Sequence, residues 1–290
     1  MNTYWVYENI RKQPSFYNEL DILLLICSGY LYKKNNPESN TSLFTDNLTL
    51  KLLEELQVVE IWNNVKVLPE NNYIEKSIFW AAGKVQVLRT VNSPTLILDH
   101  DVLIYKNIEK YLKNDVVVAH DENGENYYPT AYDPFIREVQ DIIPRPVPKS
   151  INCSFCYYPD SKFANSYSKL SLELMERFTK AKAPSSKYLI FAEQLALKYL
   201  LDYHNIPYRT LIKGIWNCID LKFEPTNDGI FSLDEVGTTY RHYWMDKPKI
   251  KENKEGVDAK AEIRILHNIL APLQNNKIGK FNDIKSRLHI

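Results

Sequence analysis

Apolar and polar positions alternate between two periods along the first half of the chain. Leu50, Leu52, Leu53 and Leu56 share one face near a period of 3.6, so Thr49 to Leu56 is predicted to be helical, and Val58-Val59-Glu60-Ile61-Trp62 alternates as a strand would. Ile74 to Leu88 reads as another helix, with Ile78, Phe79, Ala82 and Val85 toward a core. Thr95-Leu96-Ile97-Leu98 is a continuous apolar run of strand length, which suits a strand covered on both faces. A short helix is expected over Tyr105 to Leu112 and a second buried strand over Asp115 to Ala119. Helices and strands that alternate in this way imply an α/β fold with a mainly parallel sheet.

Residues 121–150 break the pattern, with Asp121-Glu122-Asn123-Gly124 and prolines at 134, 144, 146 and 148 marking an irregular excursion. Loops of that length inside a domain are usually functional or mobile. Order returns with a strand at Ile151 to Tyr157, helices over Ser166 to Lys180 and Phe191 to His204, and strands near Tyr208 to Leu211, Phe231 and Thr239 to Tyr243. An amphipathic helix is expected over Ala259 to Leu270, ahead of a basic tail at Lys277 to Ile290. That tail suits contact with a membrane surface or a partner, and equally a solvated amphipathic end.

Composition narrows the function. The 290 residues carry 36 basic and 36 acidic side chains, so the broad positive surface of a general nucleic-acid binder is missing and any phosphate site is local. With only 8 glycines, neither the G-x-G-x-x-G fingerprint nor a P-loop occurs. The 20 tyrosines and 5 tryptophans fit a cleft that stacks on sugars or bases, and fit equally a genome-wide codon bias. Leu20 to Ile26, interrupted by Asp21, is too short to span a bilayer, and no leader pattern opens the chain, so a cytoplasmic protein is expected. Cys153 and Cys156 form a C-x-x-C with no second pair to complete a zinc site; all four cysteines sit in apolar or aromatic surroundings, as reduced thiols do.

The chemistry concentrates at Asp99-His100-Asp101, directly after the Thr95 to Leu98 strand. In an extended chain residues i and i+2 project to the same side, so the two carboxylates converge. At the carboxyl end of a parallel strand such a pair can hold a hard divalent cation that bridges to phosphate. The same residues fit the D-x-D-x-[TV] motif of haloacid-dehalogenase-type phosphatases, in which the first Asp attacks phosphate. That motif normally follows the first strand of its domain, whereas several elements precede this one.

Pro94-Thr95-Leu96-Ile97-Leu98-Asp99-His100-Asp101-Val102-Leu103-Ile104 resembles the D-x-D segment of GT-A-fold glycosyltransferases, family 8 in particular. Further segments resemble that family in the same order: Leu43-Phe44-Thr45-Asp46, Ile151-Asn152-Cys153-Ser154-Phe155, Ala192-Glu193-Gln194-Leu195 and Tyr240 to Pro248. The last differs from its counterpart in a His-to-Lys spacing one residue shorter and in lacking the glycine and the final tryptophan, and Ser154 stands where glycine is usual. The resemblance implies a GT-A-like single domain with a mixed, mainly parallel central sheet flanked by helices over residues 1–250, and a C-terminal helical extension over 251–290 packed on or near it. It implies transfer of a sugar from a nucleoside diphosphate donor, a UDP-sugar foremost, to an unidentified glycan, lipid or protein acceptor. Asp99, Asp101 and His242 would hold manganese or magnesium; Lys84, Arg89, Asp99 and Lys247 would meet the donor; Glu193, Gln194 and Asn152 would act at the sugar. A retained fold without turnover, serving as a glycan- or protein-binding module, is the alternative.

Overall fold

The computed structural model describes residues 1–9, 16–124, 129, 133–144, 149–252 and 258–275. The chain opens with β1 (Asn2–Tyr7), α1 (Phe16–Asn35), β2 (Asn40–Thr45), α2 (Asn47–Glu55) and β3 (Asn64–Val67). Then come α3 (Ala82–Val87), β4 (Thr95–Leu98), β5 (Val102–Ile104), β6 (Val116–Val118), β7 (Asp121–Asn123), β8 (Lys149–Ile151) and β9 (Phe155–Tyr158). The last third holds α4 (Ser161–Lys180), α5 (Lys187–Ile190), α6 (Ala196–Tyr203), β10 (Tyr208–Thr210), β11 (Gly214–Asn217), β12 (Lys222–Pro225), β13 (Tyr240–His242), α7 (Asp246–Glu252) and α8 (Ala259–Asn275).

Seven strands form the central sheet in the order β10-β6-β9-β4-β1-β2-β3. All neighbours run parallel except β9, which is antiparallel to both β4 and β6. The fold is therefore α/β, with a mixed, mainly parallel sheet. Helices cover both faces, and β4 shows why: Leu96 and Leu98 join the core on one side and Ile97 the core on the other, so the run has no polar face to show. On the first side α1 and α8 pack together, with Leu266 and Leu270 fully buried. On the second side lie α3, α4 and α6. Gly29 of α1 lets the helix approach Trp62, because a Cβ there would stand 2.7 Å from the indole ring. Two smaller sheets, β12-β11-β7-β8 and β13-β5, flank the carboxyl side of β4 and β6.

Several expected elements take another form. Val58 to Trp62 is a 3-10 turn at Val59–Ile61 rather than a strand: Val58 and Ile61 are buried three residues apart, which one turn satisfies, while β3 follows on the exposed edge. The helix expected from Ile74 is helical only over α3; before it the chain makes turns that seat Phe79 in a stacked contact with Phe178, 6.4 Å between centroids. Tyr105 to Leu112 contains a single 3-10 turn at Glu109–Tyr111. The 121–150 excursion begins and ends in paired strands, β7 and β8. α4 starts five residues before the expected Ser166, capped by the Asp160 carboxylate on Lys162 N at 2.9 Å. The helix expected from Phe191 begins at Lys187 and passes through a π turn at Phe191–Leu195. The basic tail expected from Lys277 lies outside the described residues.

Candidate functional site

Strand order reverses beside β1: the chain builds β2 and β3 on one side, then returns to add β4 on the other. The crevice outside the carboxyl ends at such a switch point is where open α/β sheets bind ligands. Asp99 leaves β4 there. Its N–H still donates to Ser154 O at 2.8 Å, and Val102 N donates to Asp99 O at 3.2 Å, so residues 99–102 form a tight turn rather than a continued strand. The turn, not extended alternation, brings the two carboxylates to one place. After it the chain runs back as β5, which pairs with β13 so that His242 sits opposite Val102. Tyr243 N also donates to Asp101 O at 3.1 Å. Asp99, Asp101 and His242 thereby offer ligand atoms that all lie within 4.8 Å of one another.

Two lysines complete this cluster. Lys84, on α3, donates to Asp99 Oδ1 at 2.7 Å and to the carbonyl of Cys153 at 3.0 Å, and stands 2.5 Å from Glu193 Oε1. Burial alone would lower the pKa of its ammonium, but Asp99 and Glu193 outweigh that and hold it well above its ordinary value. Glu193 shows the opposite balance: burial raises its carboxyl pKa, and Lys84 offsets this only in part against the neighbouring Asp99 and Glu122. Lys247, from α7, lies 2.7 Å from Asp101 Oδ2 and 3.3 Å from Asp21 Oδ1. Burial would raise the pKa of Asp101, yet Lys247, His242 and His100 hold it well below the carboxylate range. Asp101 is buried, whereas the Asp99 side chain is 31% exposed, so the cluster opens to solvent on the Asp99 side.

Glu193 reaches Lys84 from the π turn, in which Ala196 N bonds Phe191 O across five residues. The Glu193 carbonyl accepts from the Tyr167 hydroxyl at 3.1 Å. Asn152 donates from Nδ2 to Glu122 Oε1 at 2.8 Å and accepts at Oδ1 from Ser154 N at 3.0 Å. Gln194 meets Ser150 Oγ at 3.5 Å. Arg89, exposed just beyond α3, makes only backbone hydrogen bonds among the described residues, and no contact joins its side chain to the cluster. Two surface cavities of about 350 and 360 Å³ lie elsewhere, against α4 and between α1 and α8; neither is lined by a residue of the cluster.

Two acids escaped the sequence reading. Glu122 gave no signal beyond being an acid in an irregular stretch. Asp21 did give one, because a carboxylate inside the apolar run Leu20 to Ile26 is costly to bury without a partner. Among the described residues, Asp99 and Glu193 share the Lys84 ammonium, Asp21 and Asp101 share that of Lys247, and Glu122 adds a further negative charge near Glu193. His242 adds a ring whose Nε2 is 3.4 Å from Asp101 Oδ1 and whose buried Nδ1 has no hydrogen-bond partner. An oxygen, oxygen, nitrogen donor set in an acid-rich pocket is chemically suited to a divalent cation.

Fold and site together define an α/β protein with a candidate Asp-Asp-His metal-binding cluster at the switch point of its sheet. The chain belongs to the family of unknown function DUF6734, which matches residues 19–263. No curated protein sequence matches it. Similar solved structures include the galactosyltransferase LgtC in complex with donor and acceptor sugar analogues, at 9% identity and a TM-score of 0.39, over 67% of this chain and 71% of that one. The glycosyltransferase GlyE of Streptococcus pneumoniae TIGR4 has 8% identity and a TM-score of 0.40, over 72% of this chain and 45% of that one. The PaToxG glycosyltransferase has 12% identity and a TM-score of 0.40, over 70% and 69%. Among the described residues no helix is long and apolar enough to cross a membrane.

Proposed function

We propose that this chain is a metal-dependent glycosyltransferase of the GT-A type that moves a sugar from a nucleoside diphosphate, with a UDP-sugar as the donor, to an acceptor. The convergence of Asp99, Asp101 and His242 at the switch point carries this reading. An acid-rich pocket repels a diphosphate unless a cation stands between them, so donor binding depends on the metal. Asp99, Asp101 and His242 would hold manganese or magnesium, which when bound would supply Lewis-acid neutralisation of the charge on the leaving diphosphate. Lys247 adds a second positive charge on the same side. Lys84 fixes Asp99 and Glu193 relative to each other, and Glu193 orients the sugar hydroxyls, with Asn152 and Gln194 supporting the wall beside it. Cationic help comes from these two lysines rather than from Arg89, which stands exposed off the cluster.

Release of UDP from UDP-glucose and UDP-galactose tests the reading, with manganese and with EDTA, in the wild type and in Asp101→Asn. Turnover with manganese is expected to fall about 100-fold or more in the variant and to vanish with EDTA. UDP binding without turnover of any donor would favour a binding module, and binding of UDP unaffected by EDTA would sink the metal-dependent reading.

A further inference from the structure

Lys247 stands where metal binding by itself would make its presence unfavourable. Its ammonium lies 2.7 Å from Asp101 Oδ2, while Asp101 Oδ1 faces His242 Nε2 at 3.4 Å. A divalent ion held by Asp99, Asp101 and His242 therefore shares the Asp101 carboxylate with a fixed positive charge, and the two repel strongly in so poorly solvated a place.

The counterweight comes from a helix otherwise given over to the core. Asp21 of α1, flanked by buried Leu20 and Ile22, sets Oδ1 3.3 Å from Lys247 Nζ and 3.3 Å from His100 Nε2. His100 Nε2 is itself 3.3 Å from Lys247 Nζ, closing a triangle. The imidazole rests edge-on against Tyr7 at the carboxyl end of β1, 5.0 Å between centroids, which fixes the triangle from the sheet side. His100, the middle residue of the D-x-D, thus faces Lys247 and α1.

We infer that Asp21 is a positioning residue: with His100 it holds Lys247 on one oxygen of Asp101 and offsets its charge, so that the other side of that carboxylate can accept a divalent cation. This rests on the metal-dependent reading above.

The test is calorimetric titration of the full chain with manganese chloride alone, comparing wild type, Asp21→Asn, Asp21→Glu, Lys247→Met and Asp21→Asn combined with Lys247→Met. Asp21→Asn is expected to weaken manganese binding about tenfold, and Asp21→Glu to recover most of the loss. In the Lys247→Met background, Asp21→Asn is expected to change the affinity less than about twofold. Circular dichroism melts check the fold, and Asp21→Ser is the second variant should Asp21→Asn not fold. Unchanged affinity in the folded Asp21 variants, or an equal loss where Lys247 is already gone, overturns the inference. Failure of the wild type to bind manganese overturns the inference and the metal-dependent reading together, whereas normal wild-type binding with unaffected variants overturns the inference alone.

Discussion

At the scale of single residues, the site region combines buried charges that are paired with one buried base that is not charged at all. His120 is fully buried beside the cluster, donating from Nδ1 to Asp121 O at 3.1 Å and packing edge-on against Phe223. Burial lowers its pKa from 6.5 to about 3, with a smaller contribution in the same direction from His242. Between those two values the unfolded chain binds a proton that the folded chain does not, so acidification favours unfolding there, and above pH 6.5 the residue has no effect. The contribution amounts to about 1.4 kcal/mol per pH unit. His120→Gln keeps an N–H donor without the titration. The stability difference between wild type and this variant, from urea unfolding at pH 7, 6, 5 and 4, is therefore expected to move steadily against the wild type below pH 6.5. A difference independent of pH would mean that His120 takes up its proton in the folded state.

At the scale of elements, the π turn determines where Glu193 points. A turn of this width shifts the helix register by one residue, and the site side chain and its carbonyl both depend on that register. The Tyr167 hydroxyl of α4 satisfies the Glu193 carbonyl in the core, so Tyr167→Phe is expected to cost about 1 to 2 kcal/mol in urea unfolding and to weaken UDP binding in the presence of manganese. Wild-type stability in that variant would show that the turn does not need the hydroxyl. What could be read from the sequence follows the same physics. The strands β4 and β6 were legible because continuous apolar runs of that length have few alternatives, and with them the α/β class. α1 was not, because Leu20 and Ile22 to Ile26 are all buried, and a helix apolar on every side has no amphipathic period to detect. β3 was missed because Asn64, Lys66 and Val67 lie exposed on a sheet edge. Within the site, Asp99 and Asp101 announced themselves through the strand before them. His242 and Lys247 came only from resemblance, since they reach Asp101 through the pairing of β13 with β5, a long-range contact that leaves no local pattern.

At the scale of the whole molecule, the cluster is assembled from α1, α3, the turn after β4, the π turn, β13 and α7, so its occupancy is tied to the stability of nearly the entire chain. The C-terminal helix is part of that assembly although it supplies no ligand. Glu262 of α8 accepts from Arg241 at 2.9 Å and from the Tyr243 hydroxyl at 3.0 Å, the residues on either side of His242, while the Cys27 thiol of α1 reaches Leu266 O at 3.5 Å. α8 thus clamps the strand that carries the histidine to the helix that carries Asp21. A ligand that binds only the folded state stabilises it by about 2.7 kcal/mol at a hundred times its dissociation constant, which for a chain of this size raises Tm by roughly 5 °C. Manganese with UDP is expected to produce such a rise in the wild type. Glu262→Ala removes no cluster residue and only two partly buried hydrogen bonds, yet it takes one of two carboxylate partners from Arg241 and the hydroxyl partner from Tyr243, the neighbours of His242. Its ligand-free Tm is expected to fall by a few degrees at most, roughly 1 to 4 °C, while the rise induced by manganese and UDP shrinks by about half, corresponding to a site weakened about tenfold. An undiminished rise in that variant would show that β13 holds His242 in place through its pairing with β5 alone, and that α8 contributes to the core without reaching the chemistry.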